Sequence, residues 1–439
     1  MAIIYERNLF SWKEIDNLGD LERFQLVIER MPDKKLMDAL ANERSGGRKD
    51  HPICAMWNSL LACIVFQHPS IEALRRELKR NPLLRELCGF DPLKKANAVP
   101  SKSAYSRFIS KLIKHQDLIQ EIFDDLVEKL RVILPDFGKE LAFDSKAILS
   151  LSKRPGKKSN DQRGEHDADW GKKKYSGIRE DGSKWEKIKS WFGFKLHITA
   201  DANYELPVAM SLTKASTSDI TEMHPMFERL KQTHPEILKA CEHAIGDKGY
   251  DDTKLISKLW DEYGIKPIID IRNMCKDGEK TRSFEYKKFQ NMSYDNQGNV
   301  FCHCLKTGEL KKMALGGFER DRSSLKYLCP STHYGCECEC VSKCPLRTGV
   351  RIPLDENRRV FTPVARSSYK WKKIYNKRSS VERINSRIHT SFGFERHYIR
   401  GYEKMKTRCC LSLCVMLTIA YGRALENKPE MMRSLVRAA

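Results

Sequence analysis

The chain has 439 residues, 41% of them hydrophobic, which excludes global disorder and leaves room for about two to four domains. Its 79 lysines and arginines against 58 acidic residues give a net charge of +21 and a pI of about 9.3, a balance that favours a polyanionic partner. Met1–Tyr5 runs straight into charged residues, so no secretory signal is expected. The longest apolar run, Cys409–Tyr421, has 13 residues flanked by Arg408 and Arg423; it is too short to span a bilayer and reads as a buried core helix. A cytoplasmic protein is expected, its 15 cysteines serving as thiols or metal ligands rather than disulfides.

In chain order, residues 1–50 form an amino-terminal segment of mostly helical pattern, ending in the polar loop Asn42–Arg48. Residues 51–133 read as all-helical. Pro52 opens one helix, Ser70 caps the next, and Pro100–Phe108 begins a third. Short helices with basic outer faces suit a helix-turn-helix-like DNA-binding domain; the alternative is a bundle packed on a catalytic core. Strand pattern starts at 138. Leu141–Asp144 is a first strand, Trp191–Ile198 and Leu206–Leu212 a hairpin about the turn Asp201–Tyr204, followed by a helix over 220–232 capped by Ser218 or Asp219. A strand at 244–247, a helix over 251–263 and a strand at 267–271 complete an order that matches an α/β ribonuclease-H-like mixed sheet flanked by helices. Residues 138–274 are thus the first part of a catalytic core, 275–370 a Cys-rich insertion, and 371–425 the second part of the core. Residues 153–190 read as a long basic loop, either a flexible charged insertion or a DNA clamp.

Three carboxylates stand out. Asp144 and Asp247 each close a short apolar run and are expected at strand ends, and Glu382 lies on an amphipathic basic helix. Two such aspartates and a glutamate can hold a pair of Mg²⁺ ions over a scissile phosphate, and Mn²⁺ should substitute. Ser379-x-x-Glu382 also reads as a capping box, a purely structural alternative. Around Glu382, Val381, Ile384 and Ile388 make an apolar stripe, while Arg378, Glu382, Asn385 and His389 share a polar face. The preceding stretch interleaves Arg366, Lys370, Lys372, Lys373, Lys377 and Arg378 with Tyr369, Trp371 and Tyr375, groups suited to phosphates and unpaired bases. Asp251 and Asp252 read as helix-start residues, Asp201 and Asp219 as turn and cap residues.

Tyr375-x-x-Arg378-x-x-x-Glu382 resembles the Y-x2-R-x3-E-x6-K signature of insertion-sequence DDE transposases, with His389 where the family usually has lysine. Phe143-Asp144-Ser145, Ile245–Asp251 and Gly193–His197 resemble other stretches of the same family, over roughly residues 50–425. The spacings, 103 positions from Asp144 to Asp247 and 135 from Asp247 to Glu382, suit the subgroup with an insertion in the second gap. The resemblance implies metal-dependent cleavage and strand transfer of transposon ends by catalytic Asp144, Asp247 and Glu382. It also implies contacts to double-stranded DNA by Tyr375 and Arg378, and a homodimer acting on paired ends. A transposase-derived DNA-binding protein or nuclease that no longer transposes is the alternative. In the insertion, Cys304, Cys329, Cys340 and Cys344 have spacings compatible with a structural Zn²⁺ site, Cys302 being an alternative to Cys304; reduced, ligand-free thiols are the other reading.

Overall fold

The computed structural model describes residues 21–43, 51–154, 164–179, 181, 183–272, 279–284 and 291–435. The first twenty residues, most of the Asn42–Arg48 loop and Pro155–Lys158 of the basic stretch lie outside them.

The amino-terminal half opens with helices α1 (Leu21–Arg30), α2 (Lys34–Asn42), α3 (Ile53–Val65), α4 (Ile71–Arg80), α5 (Pro82–Cys88), α6 (Lys102–Lys114) and α7 (Gln116–Ile133). Local sequence sets their starts. The hydroxyls of Ser70 and Ser101 and the amide oxygen of Asn81 accept backbone N–H groups of the first turns of α4, α6 and α5. From Ala55 onward α3 is buried all round, which is why its sequence is apolar without a polar face.

The sheet follows: β1 (Glu140–Leu149), β2 (Asp169–Ile178), β3 (Lys184–Asp201), β4 (Leu206–Lys214), then α8 (Asp219–Thr233), α9 (Pro235–Ala240), β5 (His243–Gly246), α10 (Thr253–Ser257, extended by a π turn over Lys258–Glu262) and β6 (Lys266–Ile269). The carboxyl-terminal half of β3 pairs antiparallel with β1 on one edge and β4 on the other, and β1, β5 and β6 continue in parallel. The strand order β4-β3-β1-β5-β6, with three antiparallel strands followed by two parallel ones, is the expected ribonuclease-H-like arrangement.

The basic stretch is not all loop. Its second half is a hairpin in which β2 pairs with the amino-terminal half of β3. Gly171 lies opposite Trp191 and Gly177 opposite Trp185, and each indole covers its glycine so closely that a Cβ there would come within 2.4 Å and 2.6 Å of the ring. Aromatic cover of cross-strand glycines is a known way to fix a hairpin's register.

After β6 the insertion builds two small antiparallel sheets. One contains β7 (Thr281–Ser283), β8 (Met292–Asp295), β9 (Val300–His303) and β10 (Leu310–Lys312). The other contains β11 (Ala314–Glu319), β12 (Ser324–Leu328) and, after the short α11 (Pro330–Tyr334), β13 (Val350–Pro353). They share an apolar cluster of their own around Met292, Val300, Tyr327, Ile352 and Phe361. The chain returns as α12 (Tyr369–Tyr375), α13 (Ser379–Thr390) and α14 (Tyr402–Leu425). By length and composition α14 could cross a membrane, but 78% of its most apolar window is buried against α7, α1, α3 and β4. It joins the helical half to the sheet in one continuous core.

Candidate active site and thiol cluster

Asp144 and Asp247 reach the same level of the sheet by register. The β1–β5 ladder ends at Ala142 opposite Ile245, so two residues further on each strand stand Asp144 and Asp247. Asp247 follows the end of β5. Asp144, expected at a strand end, lies instead inside β1, because β3 keeps pairing along the other edge, with Asp144 opposite Ile198 and Leu149 opposite Gly193. What stops near Asp144 is the ladder to β5, and that leaves the carboxylate at an opening.

The packing beneath is tight. A Cβ on Gly246 would lie 2.4 Å from the ring of Phe143, which meets Tyr250 edge-on at 4.8 Å between centroids. The Gly249 N–H donates to the Asp247 carboxylate at 2.7 Å, which fixes the turn after β5. Burial pushes the Asp144 carboxyl up to about 6; the Ser145 backbone N–H opposes this, and the charge of Asp247 adds to it. Burial, then the negative charges of Asp144, Asp219 and Asp247, raises the Tyr250 hydroxyl well above its ordinary range. Asp219, read from sequence as a turn or cap residue, thus belongs to the same acidic neighbourhood. It opens α8, and the Lys195 ammonium donates to it at 2.9 Å. A polar cavity of about 420 Å³ lined by Trp170, Lys172, Lys195, Asp219 and Arg272 adjoins this side.

Glu382 sits on α13. The expected capping box is absent, because Ser379 is preceded by a helical turn over Asn376–Arg378 and by α12, so the helical run begins at Tyr369. Its cap is Ser368, whose hydroxyl accepts from the Trp371 N–H at 3.1 Å. Val381, Ile384 and Ile388 are buried as their stripe requires. Two contacts aim the polar face at the sheet. The buried Asn385 donates from Nδ2 to Asp144 at 3.2 Å. Glu205, itself buried, accepts from Arg383 at 2.6 Å and from Arg433 at 2.9 Å, and also pairs with Arg387, so the β3–β4 turn clamps α13. Sequence reading missed this clamp, since Glu205 is far in the chain from all three arginines and has no distinctive local context.

The Glu382 carboxylate is exposed and accepts from Arg378 at 2.7 Å. Arg378 lies over the Tyr375 ring at 5.8 Å and feels the charge of Asp247. The structure therefore brings Asp144, Asp247 and the Glu382 helix together, with an arginine bridging the last step. The three carboxylates do not converge as closely as the thiols described below, whose sulfurs all lie within 4.8 Å of one another.

The basic candidates divide into free and engaged groups. Lys372 and Lys373 are exposed. Lys377 is engaged, pairing with Glu140 and donating to Asn203 at 2.9 Å. Arg366 is buried, donates to the carbonyls of Ile269 and Arg359 at 2.6 Å and 2.7 Å, and covers Trp371 at 5.1 Å; its surroundings are structural. Trp371 and Tyr375 stack on each other at 4.7 Å, whereas Tyr369 is 81% exposed. His389 is half-buried, with its imidazole pushed down by burial and then by the charge of Lys146; Lys189 adds to this. Lys173 and Lys189 fall in the stretch 153–190, read from sequence as a basic loop or DNA clamp, and the hairpin carries them near the acids; Lys146, on β1, went unnoticed because it lies outside the motif.

In the insertion, Cys302, Cys304, Cys329, Cys338, Cys340 and Cys344 line one small pocket, and Cys336 is exposed outside it. Cys304, Cys338 and Cys340 have sulfurs within 4.8 Å of one another, so the cluster can hold a metal ion. Cys338 was not in the expected ligand set.

A ribonuclease-H-like sheet that offers two register-matched aspartates and a basic glutamate helix defines a metal-dependent enzyme acting on nucleic-acid phosphodiesters. The comparisons name the class. The family model described as a transposase DDE domain matches residues 150–418, more than half of the chain, and a second model described simply as a transposase domain matches residues 11–111. The chain belongs to the DDE transposase family: it is an insertion-sequence DNA transposase that binds DNA, cleaves it and transfers strands with a divalent metal. The first match takes in Asp247 and Glu382 and begins just past Asp144. No relative was found among curated proteins.

Proposed function

We propose that Asp144, Asp247 and Glu382 hold the divalent ions, Mg²⁺ or Mn²⁺, at the transposon ends. The observation that carries this is the register that sets Asp144 beside Asp247, with α13 tied to Asp144 through Asn385. The site fits a cation chemically: a half-buried carboxyl raised to about 6 beside a second carboxylate is an anionic pair short of positive charge. The bound metal would supply Lewis acidity, activating the attacking water and offsetting charge on the leaving 3′ oxygen. The protein's own groups do the positioning. Asn385 orients Asp144, the Gly249 N–H orients Asp247, and Arg378 holds Glu382, a pairing that a bound metal would replace.

Lys372, Lys373 and Tyr369 offer free contacts to double-stranded DNA, as does the β2–β3 hairpin with its exposed Lys172, Lys173, Lys187 and Lys189 beside Trp170 and Trp185. Lys146 and Lys189, which bear on His389, take the place of the motif's last lysine. Tyr375, Arg378 and Lys377 shape the α12–α13 surface from within it. We assign the helices of 51–133 to DNA binding, 138–274 with 371–425 to catalysis, and the thiols of 275–370 to structure. The enzyme acts on nucleoid DNA in the cytoplasm, as a homodimer on paired ends.

The test uses duplexes carrying the sequences that flank the gene, with Mg²⁺ or Mn²⁺. Asp144→Asn, Asp247→Asn and Glu382→Gln should each lose cleavage and strand joining while retaining DNA binding. Near wild-type cleavage by any one of them removes that residue from the metal set.

A further inference from the structure

We infer that the insertion carries one tetrahedral Zn²⁺ held by the thiolates of Cys304, Cys338, Cys340 and Cys344, a structural site separate from the catalytic one. Three of the four sulfurs, those of Cys304, Cys338 and Cys340, lie within 4.8 Å of one another. At a Zn–S distance of about 2.3 Å, a tetrahedral site puts its sulfurs about 3.8 Å apart. The Cys304 and Cys340 sulfurs are 3.6 Å apart, and those of Cys338 and Cys340 3.5 Å. Cys344 lines the same pocket from the far end of the turn Val341–Lys343, which carries the chain on from Cys340.

Cys304 stands at the head of a tight turn, closed by the Gly308 N–H donating to the Cys304 carbonyl at 2.8 Å, with Gly308 at φ +70°. Cys302 is different: its thiol donates to the Lys311 carbonyl at 3.5 Å. Cys329 lines the same pocket from the start of α11, outside the segment Cys338–Cys344. These two are neighbours of the ion rather than ligands.

There is also a structural need. Between α11 and β13 the chain makes only short turns, Val341–Lys343 among them, with no ladder to hold it. The insertion's apolar cluster touches this segment only at Leu346 and Cys344. An ion joining Cys304, at the end of β9, to Cys338–Cys344 would reinforce the tie that Lys311 makes to the Glu337 carbonyl. This inference does not depend on the transposase reading, and its readouts are independent of DNA cleavage.

Full-length protein purified without chelator should contain about one zinc per chain by elemental analysis. Four thiols should resist alkylation until a chelator is added, and cobalt(II) exchange should give the thiolate charge-transfer band of a tetrahedral S4 site. Cys338→Ser and Cys340→Ser should each reduce zinc to a trace, while Cys302→Ser and Cys329→Ser keep it. Cys338→His, which restores a zinc-binding side chain, should recover the metal even where the serine variant folds poorly. Protein without zinc that takes up no cobalt would overturn the site. So would about two zincs per chain that fall when Cys302 or Cys329 is replaced, since six thiolates would then share a binuclear centre.

Discussion

The carboxylates proposed for catalysis and the insertion's thiols are both proposed metal ligands, yet only the thiols, those of Cys304, Cys338 and Cys340, lie at ligand spacing. Protonated thiols carry no charge, so sulfurs 3.5 Å apart cost little. Carboxylates are charged at neutral pH, and bringing three together without a cation costs several kcal/mol in a partly buried site. The protein answers that cost in two ways: the proton is held more tightly on Asp144, and Arg378 neutralises Glu382. Three of the sulfurs thus stand at ligand spacing, whereas the three carboxylates stand further apart.

The comparison would break most clearly in metal-linked stability. The Asp144 carboxyl is raised to about 6, so the folded state binds its proton more tightly than the unfolded chain. Its contribution is therefore fully present below the unfolded value of about 3.9 and is lost as pH rises to about 6, an effect of at most roughly 3 kcal/mol. Mg²⁺ should restore that loss above about pH 6, and Asp144→Asn should abolish both the Mg²⁺-dependent rise in Tm and DNA cleavage. Asp201, raised to about 6 by burial but bonded to the N–H groups of Gly138, Asn203 and Tyr204, is the control. Its share of the pH dependence should persist in Asp144→Asn and ignore Mg²⁺. A Tm indifferent to Mg²⁺ across this range would remove the oxygen site from the comparison.

Two substitutions sharpen the geometry of the oxygen site. Asn385→Leu removes the donor to Asp144 and should lower cleavage about 10- to 100-fold, as loss of a ligand-orienting partner generally does. The circular dichroism and DNA affinity should stay near wild type, and a raised Mg²⁺ requirement would separate orientation from folding. Gly246→Ala forces a methyl group against Phe143 and thus against Tyr250. Overpacking of this kind should cost about 1–3 kcal/mol in urea unfolding.

Much of this site could be read in the sequence because its parts are local. The strand pattern ahead of Asp144, the turn Asp247–Tyr250, and the helix stripe Val381-Ile384-Ile388 each declare themselves within a few residues. What could not be read is what only the fold creates. The strand-end position of Asp144 fails because β3, 54 residues on at Ile198, keeps β1 extended. The capping box at Ser379 fails because the helical run has already begun at Tyr369. Glu205 with its three arginines, and the approach of Asp219, depend on contacts between distant segments. The Gly171–Trp191 and Gly177–Trp185 pairs were legible in principle, as glycines facing tryptophans across a turn, but a high density of lysine obscured the strand pattern.

The oxygen site also differs from the thiol site in its basic surroundings, and those cations are not equivalent. Lys372 and Lys373 are exposed, while Lys377 is bound to Glu140 and Asn203 and joins α13 to the start of β1. Each lysine that neutralises a phosphate releases counterions, so its removal should reduce the slope of log affinity against log salt by about 1. Lys372→Ala and Lys373→Ala should each do this without changing thermal stability. Lys377→Ala should do the reverse: it leaves Glu140 without its cation, lowers stability by about 1 kcal/mol or less for a partly exposed pair, and leaves the salt slope unchanged. Fluorescence-anisotropy titrations at several salt concentrations, set beside thermal melts of the same variants, would separate the two behaviours. If Lys377→Ala flattened the slope as much as Lys372→Ala, its pairing with Glu140 would have to open when DNA binds. The cations of this surface would then be held in reserve as Glu382 is, and the contrast with the ready-made thiol site would widen.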